Sequence, residues 1–406
     1  MASTSSVIAP ESVPPTVAEV TVYEKIIELM NTFKKTHAFR SAIELGVFKA
    51  VHGAARSAHD IGARCEVHDS TKLIALLDLL AAEGILKRCT RGEGEEAVIL
   101  YENNPGADLL LGDEALPNYA AHLGTMLGET QAEMARWANL TEILKTGAVK
   151  EKPQQHSHSH GHKSTADDGA EHGEEKKKVR NCHAVDDNDK ATTEEEEEWS
   201  KLYEMFEGFM RIGFNVVAEK FDFSRFTHVV DIGGGTAQLS RILCRRYKNL
   251  NCTNFDLPRM LPCAEKRMAE IGADVADRVR LVGGDCFKDD LPTPVDAVII
   301  ANVMHGFDND ELRSQLVQKA HDALSPGGVF IVIEDIINPD HSNESALLWQ
   351  LSMDVMIASA DQGHKHHHTM LTLDGLSGWL KAAGFHRQPQ VIPLVGSMQA
   401  VIATKA

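Results

Sequence analysis

The side chains able to do chemistry sit at a few punctuated places. Asp231 precedes the glycines Gly233, Gly234 and Gly235, Asp256 follows about 20 residues beyond that loop, and Gly284-Asp285-Cys286-Phe287, His305 and Glu334 come later. Val229 and Val230 form a short apolar run ending in Asp231, and Leu239, Ile242 and Leu243 recur at helical spacing after the glycines. The stretch reads strand, tight turn, helix. Glycine lets a backbone approach a ligand closely, and a helix N-terminus offers N–H groups to a carboxylate or phosphate. A second strand closing on Asp256 puts an acid where it suits a ribose diol. The dinucleotide fingerprint fails, because the sixth position counted from Gly233 is Gln238, and the chain has no G-x-x-x-x-G-K-[ST] loop. A tight turn without a ligand uses the same glycines, and an aspartate at a strand end also serves to cap loop N–H groups.

These residues need a sheet to position them. Val279–Val282 reads as a strand ending at Gly284-Asp285, Ala297–Ala301 as a nearly all-apolar strand just before His305, and Val329–Ile333 as a strand ending at Glu334. Helices are expected over Cys263–Ile271, Glu311–Leu324, a segment carrying Leu347, Leu348, Leu351 and Val355, and Leu376–Ala383. Pro326-Gly327-Gly328 stops the second of these. Gln390–Pro393 and Gln399–Thr404 close the chain as an antiparallel pair. Open α/β sheets bind ligands at the carboxyl ends of their strands, which is where all these candidates fall.

The N-terminal part is different in kind. Val22 to about Val51 is helical in pattern, and Ser57 is an N-cap candidate for Ala58–Cys65. Ser70–Glu83 carries Leu73, Leu76, Leu77 and Leu80 on one face before Gly84, and Ile85–Lys87 and Val98–Tyr101 flank the turn RGEGEE as two strands. Helices followed by a small hairpin predict a winged helix. Residues 107–147 read mostly helical, and a further helix resumes at Trp199 with Phe206, Met210 and Phe214.

Composition bounds the function. The 406 residues allow two or three domains, 43 % hydrophobic content is that of a globular protein, and a net charge of −18 argues against nucleic acid or an anionic membrane as main partner. A winged helix can bind DNA, but no Lys/Arg-rich recognition helix is present here. The 7 cysteines are scattered without a C-x-x-C pair, and there is no apolar run of membrane-spanning length and no signal-peptide pattern; a cytoplasmic enzyme with reduced thiols is expected. Between Lys150 and Glu198 lie 8 basic and 14 acidic residues with very few large apolar ones, a segment expected to be a disordered insertion. The expected organisation is a leader (1–20), a winged-helix-like domain (21–115), connecting helices (116–148), the insertion (149–198) and an α/β domain (199–406).

The ordered set D-I-G-G-G-T-A, F-D-L-P and G-D-C-F resembles class I S-adenosylmethionine-dependent methyltransferases, and more narrowly the plant-type and hydroxyindole O-methyltransferase family. The segments FRSAIELGVFKAV and LLDLLAAEGILKR resemble that family's N-terminal dimerisation domain. The resemblance spans about residues 25–148 and 199–406. It implies a Rossmann-like seven-stranded domain preceded by a helical winged-helix-like dimerisation domain, a homodimer, and S-adenosyl-L-methionine as cofactor. By the same resemblance, Asp231 and Gly233–Gly235 hold the methionine part, Asp256 takes the ribose hydroxyls, and Asp285 and Phe287 flank the adenine, with Leu257 beside them. His305 stands where the family carries H-D-W and would be the general base, a task for which imidazole has a suitable pKa. Glu334 matches the acid that orients it. Met126, Phe206, Met210, Trp349, Met353 and Met356 are candidates for the lining of a small-molecule acceptor pocket, although each also suits plain core.

The chain departs from the family pattern at three places. Gly306 and Phe307 follow His305 instead of Asp and Trp, GHKHHHTM replaces a second acid-bearing stretch around Gly363–Met370, and Ala237 replaces a loop glycine. These leave the acceptor atom open. A hydroxyl oxygen is favoured, on a phenol or hydroxyindole; a small thioether acid, which needs no base, is the alternative, and a cofactor-binding regulator without turnover is a third. Histidines at 156, 158, 160 and 162 and at 364, 366, 367 and 368 could bind a metal weakly, but neither run matches a catalytic zinc motif, so no metal is expected.

Overall fold

The protein is described here from a computed structural model, covering residues 17–92, 97–115, 120, 134–146, 193–307, 309–360 and 370–406. It divides into two units, Met1–Gly128 and Glu129–Ala406.

The first unit opens with a 28-residue helix, α1 (Val17–Glu44). The single helical pattern expected over 22–51 is broken at Gly46, whose φ of +72° is left-handed, and a short α2 (Val47–Ala50) follows. β1 (Arg56–Ser57) leads into α3 (Ala58–Arg64), where Ser57 accepts a hydrogen bond from Asp60 N at 3.1 Å as the expected cap. α4 (Ser70–Ala82) is capped by Asp69, buries Leu73, Leu77 and Leu80, and ends at Gly84 with φ +74°. β2 (Leu86–Arg91) and β3 (Val98–Asn103) form the expected antiparallel pair, and β1 adds a third strand in the order β1-β3-β2. α5 (Pro105–Leu111) starts at Asn104, whose Oδ1 accepts from two backbone N–H groups.

The second unit contains α6 (Leu140–Thr146) and a 28-residue α7 (Thr193–Lys220), which begins six residues before the expected Trp199. Then come β4 (His228–Ile232), α8 (Gln238–Arg246), β5 (Asn251–Asp256), α9 (Leu261–Ile271), β6 (Val279–Gly283) and β7 (Val295–Ala301). They are followed by α10 (Asp310–Ala323), β8 (Leu324–Ile337), α11 (Glu344–Ala360), β9 (Leu371–Thr372), α12 (Leu373–Ala382), β10 (Gln390–Pro393) and β11 (Met398–Thr404). The strands order as β10-β11-β8-β7-β4-β5-β6, with β10, β11 and β8 antiparallel and the others parallel. The two-residue β9 joins β8 as an eighth strand, an addition to the seven expected. Pro326–Gly328 does not delay β8 to Val329: the strand starts at Leu324, and its register against β7 shifts between Val295 and Ala297.

Both faces of this sheet are covered. Val229, Ala297, Ile299 and Ile331 pack into one core and Val230, Val298, Ile300, Phe330 and Val332 into the other, all with essentially no solvent exposure. That double burial is why β7 reads as an unbroken apolar run instead of alternating. The order reverses between β4 and β7, which places the crevice for a ligand at the carboxyl ends of those two strands. Among the described residues no helix is long and apolar enough to cross a membrane.

Candidate active site

The crevice is built first from the loop after β4. Gly233 has φ +67°, and a Cβ there would lie 2.6 Å from Val303 Cγ2, beyond the end of β7; a side chain at Gly234 would overlap the Asn254 carboxamide. The loop is thus pressed onto the sheet, held by Gly233 N donating to Phe255 O at 2.8 Å. Ala237 takes the left-handed conformation, φ +61°, that glycine adopts without strain. The substitution at this position leaves the turn intact.

The acids at the strand ends are held by this loop. Asp231 is 2 % exposed, accepts from Ser240 Oγ at 3.2 Å, and is pushed up to about 7 by burial, with the Asp256 charge adding to it. Asp256 accepts from Gly235 N and Leu257 N, each at 2.7 Å, one to each carboxylate oxygen. Two backbone donors pin the group. Asp285 accepts from Phe287 N at 2.9 Å and pairs with Lys288 at 3.1 Å, so it also caps its own turn. Phe287 packs edge-on against Phe307, centroids 4.9 Å apart. Leu257 packs with Met260, Cys263 and Tyr203 of α7.

Across the crevice, Glu334 is 1 % exposed; it lies inside β8, which runs on to Ile337 instead of ending at Glu334 as expected, and sits one residue past the last pairing with β7, Ala301 with Ile333. Its Oε1 accepts from Val303 N at 2.8 Å and Met304 N at 2.7 Å, and its Oε2 lies 2.9 Å from His305 Nδ1. A carboxylate only accepts, so Nδ1 carries the proton and Nε2 of the neutral ring keeps its lone pair. Burial alone would lower the His305 pKa, but the Glu334 charge and hydrogen bond, with Asp335 behind them, raise it above the ordinary imidazole value.

The acceptor candidates divide. On α7, Met210 is buried, and the Asn302 amide reaches its sulfur at 2.9 Å; Phe206 packs beside Tyr203. Trp349 of α11 stacks on Phe209 of α7, centroids 6.3 Å apart and planes 15° from parallel. Met353 is half-buried on α11. Met126, the Met356 side chain and both histidine runs lie outside the described residues.

Sequence reading missed several groups here. Glu207 is buried on α7, accepts from Thr236 Oγ1 just after the glycine loop at 2.6 Å, and pairs with Arg241 of α8 and Arg267 of α9. Arg313 is buried on α10 under the His305 turn. Asn302 adopts φ +53° at the end of β7. The first two left a signal: each is a charge on the buried stripe of its helix, Glu207 in line with Met210, Phe214 and Val217, and Arg313 with Leu316, Val317 and Ala320.

A family model for the O-methyltransferase domain matches residues 169–385, and one for the O-methyltransferase dimerisation domain matches residues 27–113. The chain is 30 % identical, over 89 % of its length and 90 % of the relative's, to a tetracenomycin polyketide synthesis 8-O-methyl transferase from Streptomyces glaucescens. The chain belongs to the O-methyltransferase family. An N,N-dimethyltransferase of Streptomyces rimosus is a more distant relative, 26 % identical over 82 % of this methyltransferase and 85 % of that protein. The fold is that of human N-acetylserotonin methyltransferase solved with S-adenosylmethionine, at a TM-score of 0.64 and 21 % identity, covering 97 % of this methyltransferase and all of that chain. S-adenosyl-L-methionine is the methyl donor of the family, and the methyltransferase acts on small molecules. The loop pressed onto the sheet and the acid Asp256 at the end of β5 fit such a donor.

Proposed function

We propose that the methyltransferase transfers a methyl group to the hydroxyl of a phenol- or hydroxyindole-type acceptor, with His305 as general base. The observation that carries this reading is the contact of His305 Nδ1 with Glu334 Oε2 at 2.9 Å, at the carboxyl end of the sheet. Asp231 and Gly233–Gly235 hold the methionine part of the donor, Asp256 its ribose, and Asp285 and Phe287 its adenine. Bound there, the donor supplies an electrophilic methyl group on a sulfonium. His305 Nε2 takes the hydroxyl proton as the acceptor oxygen becomes nucleophilic, and the Glu334 carboxylate offsets the charge of the resulting imidazolium. Phe206, Met210, Trp349 and Met353 line the acceptor side; flat apolar walls suit an aromatic acceptor. The working form is a homodimer through the N-terminal unit, since α1 leaves an apolar row uncovered and the dimerisation-domain match includes its C-terminal part.

The test is His305→Ala, assayed with labelled donor on a panel of phenols, hydroxyindoles and thioether acids. Turnover on the best acceptor should fall roughly a hundred- to ten-thousand-fold with donor affinity unchanged. A loss of less than about threefold would sink the base role and point to an acceptor that gives up no proton.

A further inference from the structure

The residues after His305 are Gly306 and Phe307, and a side chain at Gly306 would meet nothing within 4 Å. The turn that carries the imidazole closes on itself where Phe307 N donates to Met304 O at 3.3 Å, with Met304 fully buried and Phe307 packed on Phe287. The turn is also held from outside, at both ends. At its start, Glu334 Oε1 accepts from the N–H groups of Val303 and Met304. At its end, Arg313 Nε donates to Met304 O at 3.2 Å and Nη2 to Phe307 O at 2.6 Å. An anion on the N–H end and a cation on the carbonyl end both follow the dipole of the turn.

Arg313 is an unusual group to find here. It is 3 % exposed, on the stripe of α10 that also buries Leu316, Val317 and Ala320. Its ion pair with Asp310 is long, 3.4 Å, and Asp310 is largely in water. The Trp379 ring of α12 lies 5.6 Å from the guanidinium. A buried charge is costly to keep, and this one directs its donors at the two carbonyls that bracket His305.

We propose that Arg313 is a positioning residue for His305: its fork fixes the 304–307 turn so that Nδ1 stays on Glu334 and Nε2 faces the acceptor. The inference rests on the reading of His305 as base. A lysine cannot replace the fork, because a single ammonium on a flexible stem does not bridge two carbonyls set by a planar guanidinium. Among the described residues, the charged groups around the imidazole include Glu334 and Asp335 on β8 and Arg313 on α10; the two acids favour its protonated form and Arg313 opposes it.

The test compares Arg313→Lys, Arg313→Gln and His305→Ala, alone and combined, in the full-length enzyme. Arg313→Lys should lower kcat about tenfold or more, with acceptor KM, donor affinity and Tm little changed and the midpoint of the pH–rate profile retained. Arg313→Gln should lower kcat similarly and move that midpoint to higher pH, because the opposing charge is gone. On the His305→Ala background, Arg313→Lys should cost less than about twofold, since its effect passes through the imidazole. An unchanged kcat in Arg313→Lys, a full multiplicative loss on the His305→Ala background, or failure of both arginine variants to fold would overturn the proposal. A His305→Ala enzyme of near-normal rate removes the base reading itself. A slow His305→Ala enzyme beside an unaffected Arg313→Lys enzyme removes this inference alone.

Discussion

Two titrating side chains should set the pH behaviour, in the same sense. Burial pushes Asp231 up to about 7, so much of it is protonated just below neutrality. Its contribution to stability is full below the ordinary carboxylate range and lost as pH rises through about 7. If Asp231 holds the cationic methionine part of the donor, it must be ionised to do so. Donor affinity should then rise as pH rises toward and through about 7, and binding at pH 6.5 should release protons. Calorimetric titration in buffers of different ionisation enthalpy measures that release; no proton release would remove Asp231 from the site. His305, raised by Glu334, follows the same logic. Its ion pair stabilises the fold below the ordinary imidazole pKa and is lost as pH rises through the raised value, while the neutral ring needed by a base appears only there. The pH–rate profile should therefore rise through a midpoint above that of a free imidazole, where the ion pair is being given up.

At the scale of elements, the long helix α7 does two things. Its face with Phe209 and Met210 meets Trp349 and Asn302, and its Glu207 ties it to the glycine loop at Thr236, to α8 at Arg241 and to α9 at Arg267. Glu207 and Arg241 are both nearly fully buried, so deleting the carboxylate strands a guanidinium without its counter-charge. Glu207→Ala should destabilise the second unit by about 3–5 kcal/mol. Glu207→Gln should cost less, because the amide oxygen still accepts from Thr236. Urea unfolding followed by tryptophan fluorescence gives the values; a loss below about 1 kcal/mol for Glu207→Ala would show that the cluster does not hold α7. Helix boundaries such as Ser57 and Gly84 were readable from capping chemistry because each acts on its immediate neighbours. The Glu207 cluster joins residues up to 60 apart, and no local pattern encodes that pairing.

At the scale of the molecule, α1 keeps Tyr23, Ile26, Met30 and Phe33 at least 40 % exposed along one row. Such a row on a protein of net charge −18 needs a partner surface, and the dimerisation-domain match argues for a second copy. Met30→Glu combined with Phe33→Glu should convert a dimer to monomer in sedimentation velocity without lowering the Tm of the second unit; a dimer that persists would place the contact elsewhere. What the sequence determined by itself is what local chemistry and periodicity dictate. The apolar run Val295–Ala301 marks a doubly covered strand, Gly233 and Gly234 mark a loop lying on the sheet, and Asp231, Asp256, Asp285 and His305 fall at or just past strand ends. Only tertiary structure decided which of those ends face one another. The Glu334 carboxylate meets His305 because β8 lies beside β7, and Arg313 reaches the same turn because α10 packs back over it. Those contacts are made through space by groups distant in the chain. Their geometry is therefore set by how the sheet and helices pack and not by any residue's neighbours in sequence.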